Sequence, residues 1–193
     1  MRQVVFASSN PGKIKDLQAL LGEGWSVKSA KDFPQIPEVI EDLATFEGNA
    51  AKKARTFAKE TGLWALADDS GLVVDAMGGR PGVYSARYAP TEAERIVKML
   101  GELKDVPVER RSARFVCVLA LVLPSGEERL ARGTCEGSIG FAPRGTQGFG
   151  YDPIFVLPSG KTMSELSRAE KAAISHRGQA FRAMLPLLTA VGG

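Results

Sequence analysis

The 193-residue chain contains 44% hydrophobic and 24% charged residues, which is typical of a globular protein and excludes a disordered or membrane-embedded chain. Its formal charge of +3 favours an anionic ligand only weakly, and the densest basic run, at Arg110, Arg111 and Arg114, is typical of a solvated strand edge. Because no signal-peptide pattern and no apolar stretch near the roughly 20 residues of a bilayer span is present, we expect a cytoplasmic protein, a single domain over residues 1–193, and neither membrane nor nucleic acid as partner.

Hydrophobic periodicity and capping residues predict alternating strands and helices along the chain. The predicted strands cover residues 3–9, 25–30, 64–67, 72–74, 113–123, 129–135 and 150–157. The predicted helices cover residues 14–21, 46–61 and 178–189, with further helices that begin after Thr91 and Ser167. A predicted hairpin turn at Pro124-Ser125-Gly126 favours a mixed α/β sheet over a purely parallel one. Cys117 and Cys135 have no CxxC partner and are predicted to be buried thiols.

Residues 6–13, Phe-Ala-Ser-Ser-Asn-Pro-Gly-Lys, connect the first strand to the first helix. They lack the glycine and the Ser or Thr that a Walker A loop requires. Small residues nevertheless let a ligand approach the backbone, Pro11 suits the first helical position, and the N–H groups of a helix start favour an anion beside Lys13. A phosphate site and a simple capped turn are both compatible with this segment.

Lys53 projects into the apolar stripe that Phe46, Ala50, Ala54 and Phe57 form on the second helix. Asn49 flanks the same side of the helix, one turn earlier. A lysine stem can lie along an apolar surface while its ammonium stays in water. The pattern therefore allows either a surface lysine or an ammonium that enters a binding cleft.

Asp68 and Asp69 stand where an apolar strand ends. Neighbouring side chains of a strand point to opposite faces, so we expect only one of the two carboxylates to face a given site. With Glu41 of the proline-bearing loop as a second ligand, such a carboxylate suits Mg²⁺, which binds through one or two carboxylates plus substrate phosphate oxygens. Because Asp-Ser-Gly is also common in turns, a plain turn is the alternative.

Two aromatic residues stand among glycines in Gly-Phe-Gly-Tyr-Asp-Pro, residues 148–153. Aromatic faces next to small residues suit stacking on a nucleotide base, and a turn packed by its own rings is the alternative. The only histidine, His176, lies between two helical segments and by itself indicates no more than a helix junction.

Taken together, six segments resemble the inosine triphosphate pyrophosphatase family, whose members remove ITP, dITP and XTP. The segments are Ala-Ser-Ser-Asn-Pro-Gly-Lys (7–13), Thr-Phe-Glu-Gly-Asn-Ala with Lys-Ala (45–54), Ala-Asp-Asp-Ser-Gly-Leu (67–72), Gly-Arg-Pro-Gly-Val-Tyr-Ser-Ala-Arg-Tyr (79–88), Gly-Thr-Gln-Gly-Phe-Gly-Tyr-Asp-Pro-Ile-Phe (145–155), and Glu-Lys followed by Ile-Ser-His-Arg-Gly (170–178). They follow one another from the first strand to the last helix. The family often has Glu-Thr-Gly where this chain has Glu41-Asp42-Leu43.

The resemblance implies a Mg²⁺-dependent enzyme that cuts a purine nucleoside triphosphate into a nucleoside monophosphate and pyrophosphate. Phosphate binding is implied for Ser8, Ser9, Asn10, Pro11, Gly12, Lys13 and Lys53. Metal binding is implied for Glu41 and Asp69, with Asp69 also the base for the attacking water. Substrate contact is implied for Ser70, and base recognition for Phe149, Gly150, Tyr151, Asp152, Lys171, His176 and Arg177. The implied architecture is a homodimer of an α/β fold, with an elongated mixed sheet and flanking helices in two lobes around a cleft.

Two rival functions stay open at this point. One is a related house-cleaning pyrophosphatase for modified pyrimidine or methylated nucleotides, such as the Maf-like proteins. The other is a nucleotide-sensing module without turnover. Carboxylates beside a phosphate loop repel phosphate unless a metal intervenes, so the acidic pair argues against pure binding.

Overall fold

The computed structural model describes residues 2–190, apart from the side chain of Asp16. Within that range the chain forms a mixed α/β fold, as predicted, with six strands in one sheet and five α-helices. The strands are β1 (Arg2–Phe6), β2 (Trp25–Ser29), β3 (Trp64–Val74), β4 (Ser112–Val122), β5 (Glu128–Ile139) and β6 (Phe155–Val156). The helices are α1 (Pro11–Leu21), α2 (Phe46–Thr61), α3 (Glu92–Glu102), α4 (Arg168–Ile174) and α5 (His176–Ala190). None of the described helices combines the length and the apolarity needed to cross a membrane.

The sheet has the strand order β2-β1-β3-β4-β5-β6. Strand β1 pairs in parallel with both neighbours, so that Val4 lies opposite Val27 of β2 and Trp64 of β3. The β1-α1-β2 connection requires this direction, because a helix that crosses over a sheet returns the chain parallel to its start. Strands β5 and β6 are antiparallel. The sheet is therefore mixed.

The described chain divides into two compact units, and each has its own core. The first comprises residues 2–69, 117–133 and 180–190, and its core includes Phe6, Leu66 and Phe181. The second comprises Ser70–Val116 and Thr134–Gln179, and its core includes Met99 and Phe155. Both cysteines are buried, as predicted.

Local capping chemistry begins several helices where the sequence predicts. The hydroxyl oxygens of Thr45, Thr91 and Ser167 each accept a hydrogen bond from the backbone N–H three residues later, at the starts of α2, α3 and α4. Helix α5 begins at His176, two residues before the predicted start. The reason is Ser175, whose Oγ accepts from the N–H of Gly178 at 3.1 Å and caps the helix earlier.

Two strand predictions need correction. Strand β3 continues through Asp68-Asp69-Ser70-Gly71, where a turn was the alternative. The predicted strand over residues 150–157 is reduced to Phe155–Val156 and follows a 3-10 helix at Asp152–Ile154. Proline at position 153 suits the first turn of a helix and donates no hydrogen bond to a sheet, which accounts for the shorter strand.

Arg111 is a buried basic residue, although the sequence suggested a solvated strand edge. Its side chain is 1% exposed, and its guanidinium donates to main-chain carbonyl oxygens of Leu103, Val106, Ile139 and Gly140. Burial lowers its pKa. The planar, five-donor guanidinium thus connects the end of α3 to the end of β5 within the second unit.

Candidate functional site

The loop between β1 and α1 ends in a capped turn. Asn10 Oδ1 accepts hydrogen bonds from the backbone N–H groups of Gly12 at 2.9 Å and Lys13 at 3.3 Å. The N–H of Asn10 itself donates to Ser8 Oγ at 3.2 Å. Two amides that the sequence offered to an anion are therefore occupied by Asn10, and phosphate binding by Ser8 to Lys13 stays a prediction.

Lys13 extends from α1 to the acidic segment of β3. Its Nζ donates to both carboxylate oxygens of Asp68, at 2.8 and 2.7 Å. The Asp68 side chain is 3% exposed and that of Lys13 is 19% exposed. A charge-assisted pair withdrawn from water in this way fixes the position of the ammonium.

Lys53 reaches the same acidic segment from α2. Its Nζ donates to the carboxylate of Glu41 and to the main-chain carbonyl of Asp68. The predicted apolar stripe of α2 is confirmed, since Phe46, Ala50, Ala54 and Phe57 are buried. The stem of Lys53 therefore lies along the buried side of the helix, and its ammonium meets one carboxylate and one main-chain carbonyl instead of bulk water.

Asn49 is a site residue that the sequence-based assignment did not include. It is 0% exposed, and its Nδ2 donates to Asp69 Oδ2 at 3.0 Å and to the Leu43 carbonyl at 3.2 Å. Its Oδ1 accepts from the Leu43 N–H at 3.0 Å. The signal that could have identified Asn49 is its place one turn before Lys53 on the same side of the helix.

The two adjacent aspartates are contacted by different helices. Asp68 meets Lys13 of α1, whereas Asp69 meets Asn49 of α2. This is the alternation expected of neighbouring residues in a strand. Asp69 is 6% exposed. We refer to Lys13, Glu41, Lys53, Asp68 and Asp69 as the charged cluster, in which carboxylates outnumber ammonium groups by one.

The donor set of the charged cluster fits Mg²⁺. Among the side chains that the structure describes, no three His, Cys, Asp or Glu residues form a ready-made metal cage. Mg²⁺ does not require one, because it binds through one or two carboxylates plus water and phosphate oxygens. Glu41 and Asp69 offer such hard oxygen donors, and the excess carboxylate favours a cation.

The first unit contains a groove of about 720 Å³. Some of its lining residues are close to Lys13 in sequence, but none belongs to the charged cluster. The groove runs along α1 and β2 and is lined in part by Ser9, Pro11, Gln18 and Val27. Lys13 and the carboxylates of the cluster are not among its lining residues. The groove is therefore not the site that the carboxylates of the charged cluster form.

In the second unit, the buried carboxylate of Asp152 holds both Phe149 and Lys171. Asp152 is 4% exposed, and its Oδ2 accepts from the Phe149 N–H at 3.0 Å and from Lys171 Nζ. The Lys171 ammonium lies 4.9 Å from the centroid of the Phe149 ring. Phe149 is 60% exposed. Its aromatic ring is therefore accessible to a ligand, beside the Lys171 ammonium that Asp152 holds in place.

Gly148 is required by the packing of this loop. Its φ is +86°, and an added Cβ would lie 2.1 Å from Asp152 Oδ2 and 3.0 Å from Lys171 Nζ. Gly150 also has a positive φ, +64°, but a Cβ there would meet nothing within 4 Å. Of these two glycines, Gly148 alone combines backbone strain with a collision against Asp152 and Lys171.

Tyr151 is part of the core, although the resemblance implies substrate contact. It is 5% exposed, its hydroxyl donates to the Ser85 carbonyl at 2.8 Å, and burial raises its pKa to about 12. Its side chain thus anchors residues 148–153 to Ser85. Ser70, another residue with an implied substrate role, belongs to β3 directly after Asp69.

His176 and Arg177 occupy the first turn of α5. The His176 ring stacks on Phe115 with a centroid distance of 5.0 Å and an interplanar angle of 18°. The Nε atom of Arg177 is buried and has no hydrogen-bond partner among the described residues. A buried donor of this kind is costly unless a partner is supplied, so Arg177 suits a ligand acceptor.

Comparisons with known proteins cover nearly the whole chain and point to the same family. The Ham1 family model matches residues 4–187. A protein of Shouchella clausii named dITP/XTP pyrophosphatase is 50% identical over 188 residues, which cover 95% of each chain. The solved structure of a HAM1 protein from Coxiella burnetii has a TM-score of 0.93 and 45% identity, over 98% of this chain and 100% of that one. The Staphylococcus aureus Ham1 protein has a TM-score of 0.93 and 38% identity, over 98% of this chain and 99% of its own.

Proposed function

The chain belongs to the Ham1 family, as its motifs predicted, and we propose that it hydrolyses the non-canonical purine nucleoside triphosphates ITP, dITP and XTP to nucleoside monophosphate and pyrophosphate. The observation that carries this proposal is the 50% identity, over 95% of both chains, to a protein named dITP/XTP pyrophosphatase. Such an activity would remove damaged purine nucleotides from the nucleotide pool. A homodimer, which the family resemblance implies, is proposed as well and is tested by light scattering.

The charged cluster supports chemistry on a polyphosphate. An ammonium group has three N–H donors, and Lys13 and Lys53 each use two of them on acidic or carbonyl oxygens of the protein. We assign the remaining donors to phosphate oxygens of the substrate. Asp69 is assigned as the base that accepts a proton from the attacking water, because it is a buried carboxylate held in place by Asn49.

Glu41 and Asp69 are proposed to hold Mg²⁺. When bound there, the ion would supply charge neutralisation at the phosphate oxygens. The two lysines act in the same direction, because they place positive charge where negative charge accumulates during phosphoryl transfer.

Recognition of the base is assigned to the second unit. Phe149 offers a face for stacking, which binds any purine. Lys171, His176 and Arg177 offer donors, which match the 6-keto acceptor of hypoxanthine and xanthine but face the 6-amino donor of adenine. A site built around such donors can discriminate by about 10⁴ to 10⁵, since the wrong base leaves its polar groups unpaired.

The test is a panel of ITP, dITP, XTP, GTP, ATP and a modified pyrimidine triphosphate, assayed for pyrophosphate release with Mg²⁺ and with EDTA. We expect monophosphate and pyrophosphate from the first three substrates and no turnover in EDTA. A preference for the pyrimidine would favour a Maf-like activity, and binding without turnover would favour a sensor. Release of orthophosphate and a diphosphate would refute the proposed bond cleavage.

The assignment of Asp69 as the catalytic base is tested by Asp69→Asn, compared with Asp68→Asn and Asp42→Asn. Asp69→Asn should lower kcat by roughly a hundredfold or more, the scale of a lost general base. Asp42 is the matched control, since its carboxylate pairs with Lys52 on the exposed side of α2. Near-full activity of Asp69→Asn together with an inactive Asp68→Asn would transfer the role of base to Asp68.

A further inference from the structure

We propose that Asn49 is a positioning residue, which holds Asp69 and the loop that carries Glu41 in one fixed arrangement. The inference rests on the proposed function, because it concerns how the two assigned metal ligands are kept in place. Asn49 itself is not assigned a contact with substrate or metal.

The location of Asn49 requires a specific explanation. It lies in the first turns of α2, fully buried beside Phe46 and Ala50, where an unsatisfied amide would be costly. Asparagine is also a weak helix former. Its side chain makes no bond to its own helix in the contacts described above, and instead bonds to Leu43 and Asp69. These bonds are what favour asparagine here.

Its bonds to Leu43 fix the acidic loop. One side-chain amide both accepts from the N–H and donates to the carbonyl of Leu43, which lies two residues after Glu41. The neighbouring Lys52 donates to the Ile40 carbonyl at 2.9 Å and to Asp42 at 2.6 Å, but this second link is solvent-exposed. Exposed ion pairs contribute little, and Lys53 of α2 reaches only the side chain of Glu41, so Asn49 provides the buried attachment of the loop main chain, at Leu43, to α2.

Its bond to Asp69 fixes the orientation of that carboxylate. The hydrogen bond at Oδ2 restrains the rotation of the carboxylate. The same Nδ2 also donates to Leu43, so a single nitrogen couples the carboxylate to the loop. Partners of this kind orient metal ligands, and their loss typically lowers activity or metal affinity by about 10- to 100-fold.

The experiment compares Asn49→Ala, Asn49→Asp and Thr45→Ala in the full chain. Thr45→Ala is the matched control, since it removes the cap of the same helix, where Thr45 Oγ1 accepts from the Gly48 N–H at 3.0 Å, without removing a bond to Leu43 or Asp69. Thermal unfolding checks that each variant is folded. The readouts are kcat and KM for ITP, and hydrogen exchange of the Leu43 amide.

For Asn49→Ala we expect kcat to fall about 10- to 100-fold while KM changes by less than about threefold, and the Leu43 amide to exchange faster. Asn49→Asp retains an acceptor for the Leu43 N–H but loses the donor to Asp69. It should therefore lower kcat while Leu43 protection falls less than in Asn49→Ala. Thr45→Ala should lose stability and retain both kcat and Leu43 protection.

Equal kinetics in Asn49→Ala and Thr45→Ala would overturn the inference while leaving the proposed function intact. An inactive wild-type chain would remove the proposed function and with it a catalytic role for Asn49, whereas exchange at Leu43 would still decide whether Asn49 holds the loop. If Asn49→Ala does not fold, Asn49→Asp decides: unchanged kcat in that variant contradicts the coupling to Asp69.

Discussion

Replacement of Gly148 by alanine should damage both stability and base recognition, and Gly150→Ala provides a control in the same loop. Both glycines have positive φ, so both substitutions introduce strain of about 1–2 kcal/mol. They differ in their surroundings. The new Cβ at position 148 would lie 2.1 Å from Asp152 Oδ2, whereas the one at position 150 meets nothing within 4 Å.

The difference can be estimated from the contacts of Asp152. To relieve the collision its carboxylate must shift, which disturbs its bond to Lys171, whose ammonium also lies 3.0 Å from the new Cβ. A hydrogen bond to a charged group contributes about 1.5–3 kcal/mol. Gly148→Ala should therefore lower the free energy of unfolding by about 2.5–5 kcal/mol, and Gly150→Ala by only about 1–2 kcal/mol.

Two assays check this estimate. Thermal unfolding should show a decrease in Tm of roughly 5–20 °C for Gly148→Ala and a few degrees for Gly150→Ala, on the scale of about 2–4 °C per kcal/mol for a chain of this size. The KM for ITP should rise at least about tenfold for Gly148→Ala alone, since about 1.4 kcal/mol of lost binding is tenfold. Indistinguishable Tm and KM values for the two variants would refute the argument that Asp152 and Lys171 depend on the space at position 148.

Three further predictions concern the second unit. Burial raises the pKa of Tyr151 from 10.0 to about 12, so its contribution to stability is complete below about pH 10 and is lost as the pH approaches 12. The free energy of unfolding, measured in urea, should therefore fall more steeply between about pH 10 and pH 12 in the wild type than in Tyr151→Phe. Arg111→Lys should lower the free energy of unfolding by about 2–4 kcal/mol, measured in urea, because an ammonium cannot reach all the carbonyl oxygens that the guanidinium satisfies, and a loss below about 0.5 kcal/mol would contradict this. Phe149→Ala should raise KM for all purine triphosphates alike, whereas Arg177→Ala should narrow the ratio of kcat/KM between ITP and ATP; uniform loss with an unchanged ratio would assign Arg177 to the phosphates.

The sequence predicted most of the fold because the relevant signals are local. The apolar stripe of α2 and its Thr45 cap depend on residues within a few turns, so periodicity and capping identify them. The cap formed by Asn10 was also identifiable, since asparagine before proline at a helix start commonly accepts from the next amides. The backbone amides of Gly12 and Lys13, which the sequence predicts to be available to an anion, are bonded to the Asn10 side chain in the structure.

The parts that could not be predicted depend on partners far along the chain. Strand β3 continues through two aspartates because Lys13 and Asn49, on separate helices, satisfy their carboxylates. No spacing rule predicts that Lys53 meets Glu41, or that Tyr151 donates to Ser85. Candidate residues were therefore identifiable from motifs, while the hydrogen bonds that orient them were not.

The cap at Asn10 has a consequence for how α1 can select among anions. Because its side-chain oxygen is tethered two and three residues from the amides it occupies, it acts as an intramolecular competitor at high effective concentration. Any anion that binds the N–H groups of Gly12 and Lys13 must first displace this oxygen, which lowers the affinity of every such ligand by the same factor. A small ion that makes no other contact gains nothing to offset that displacement, whereas a polyphosphate that also engages lysine ammonium groups does. We therefore expect the helix start to favour ligands with several charged groups in a row over simple anions.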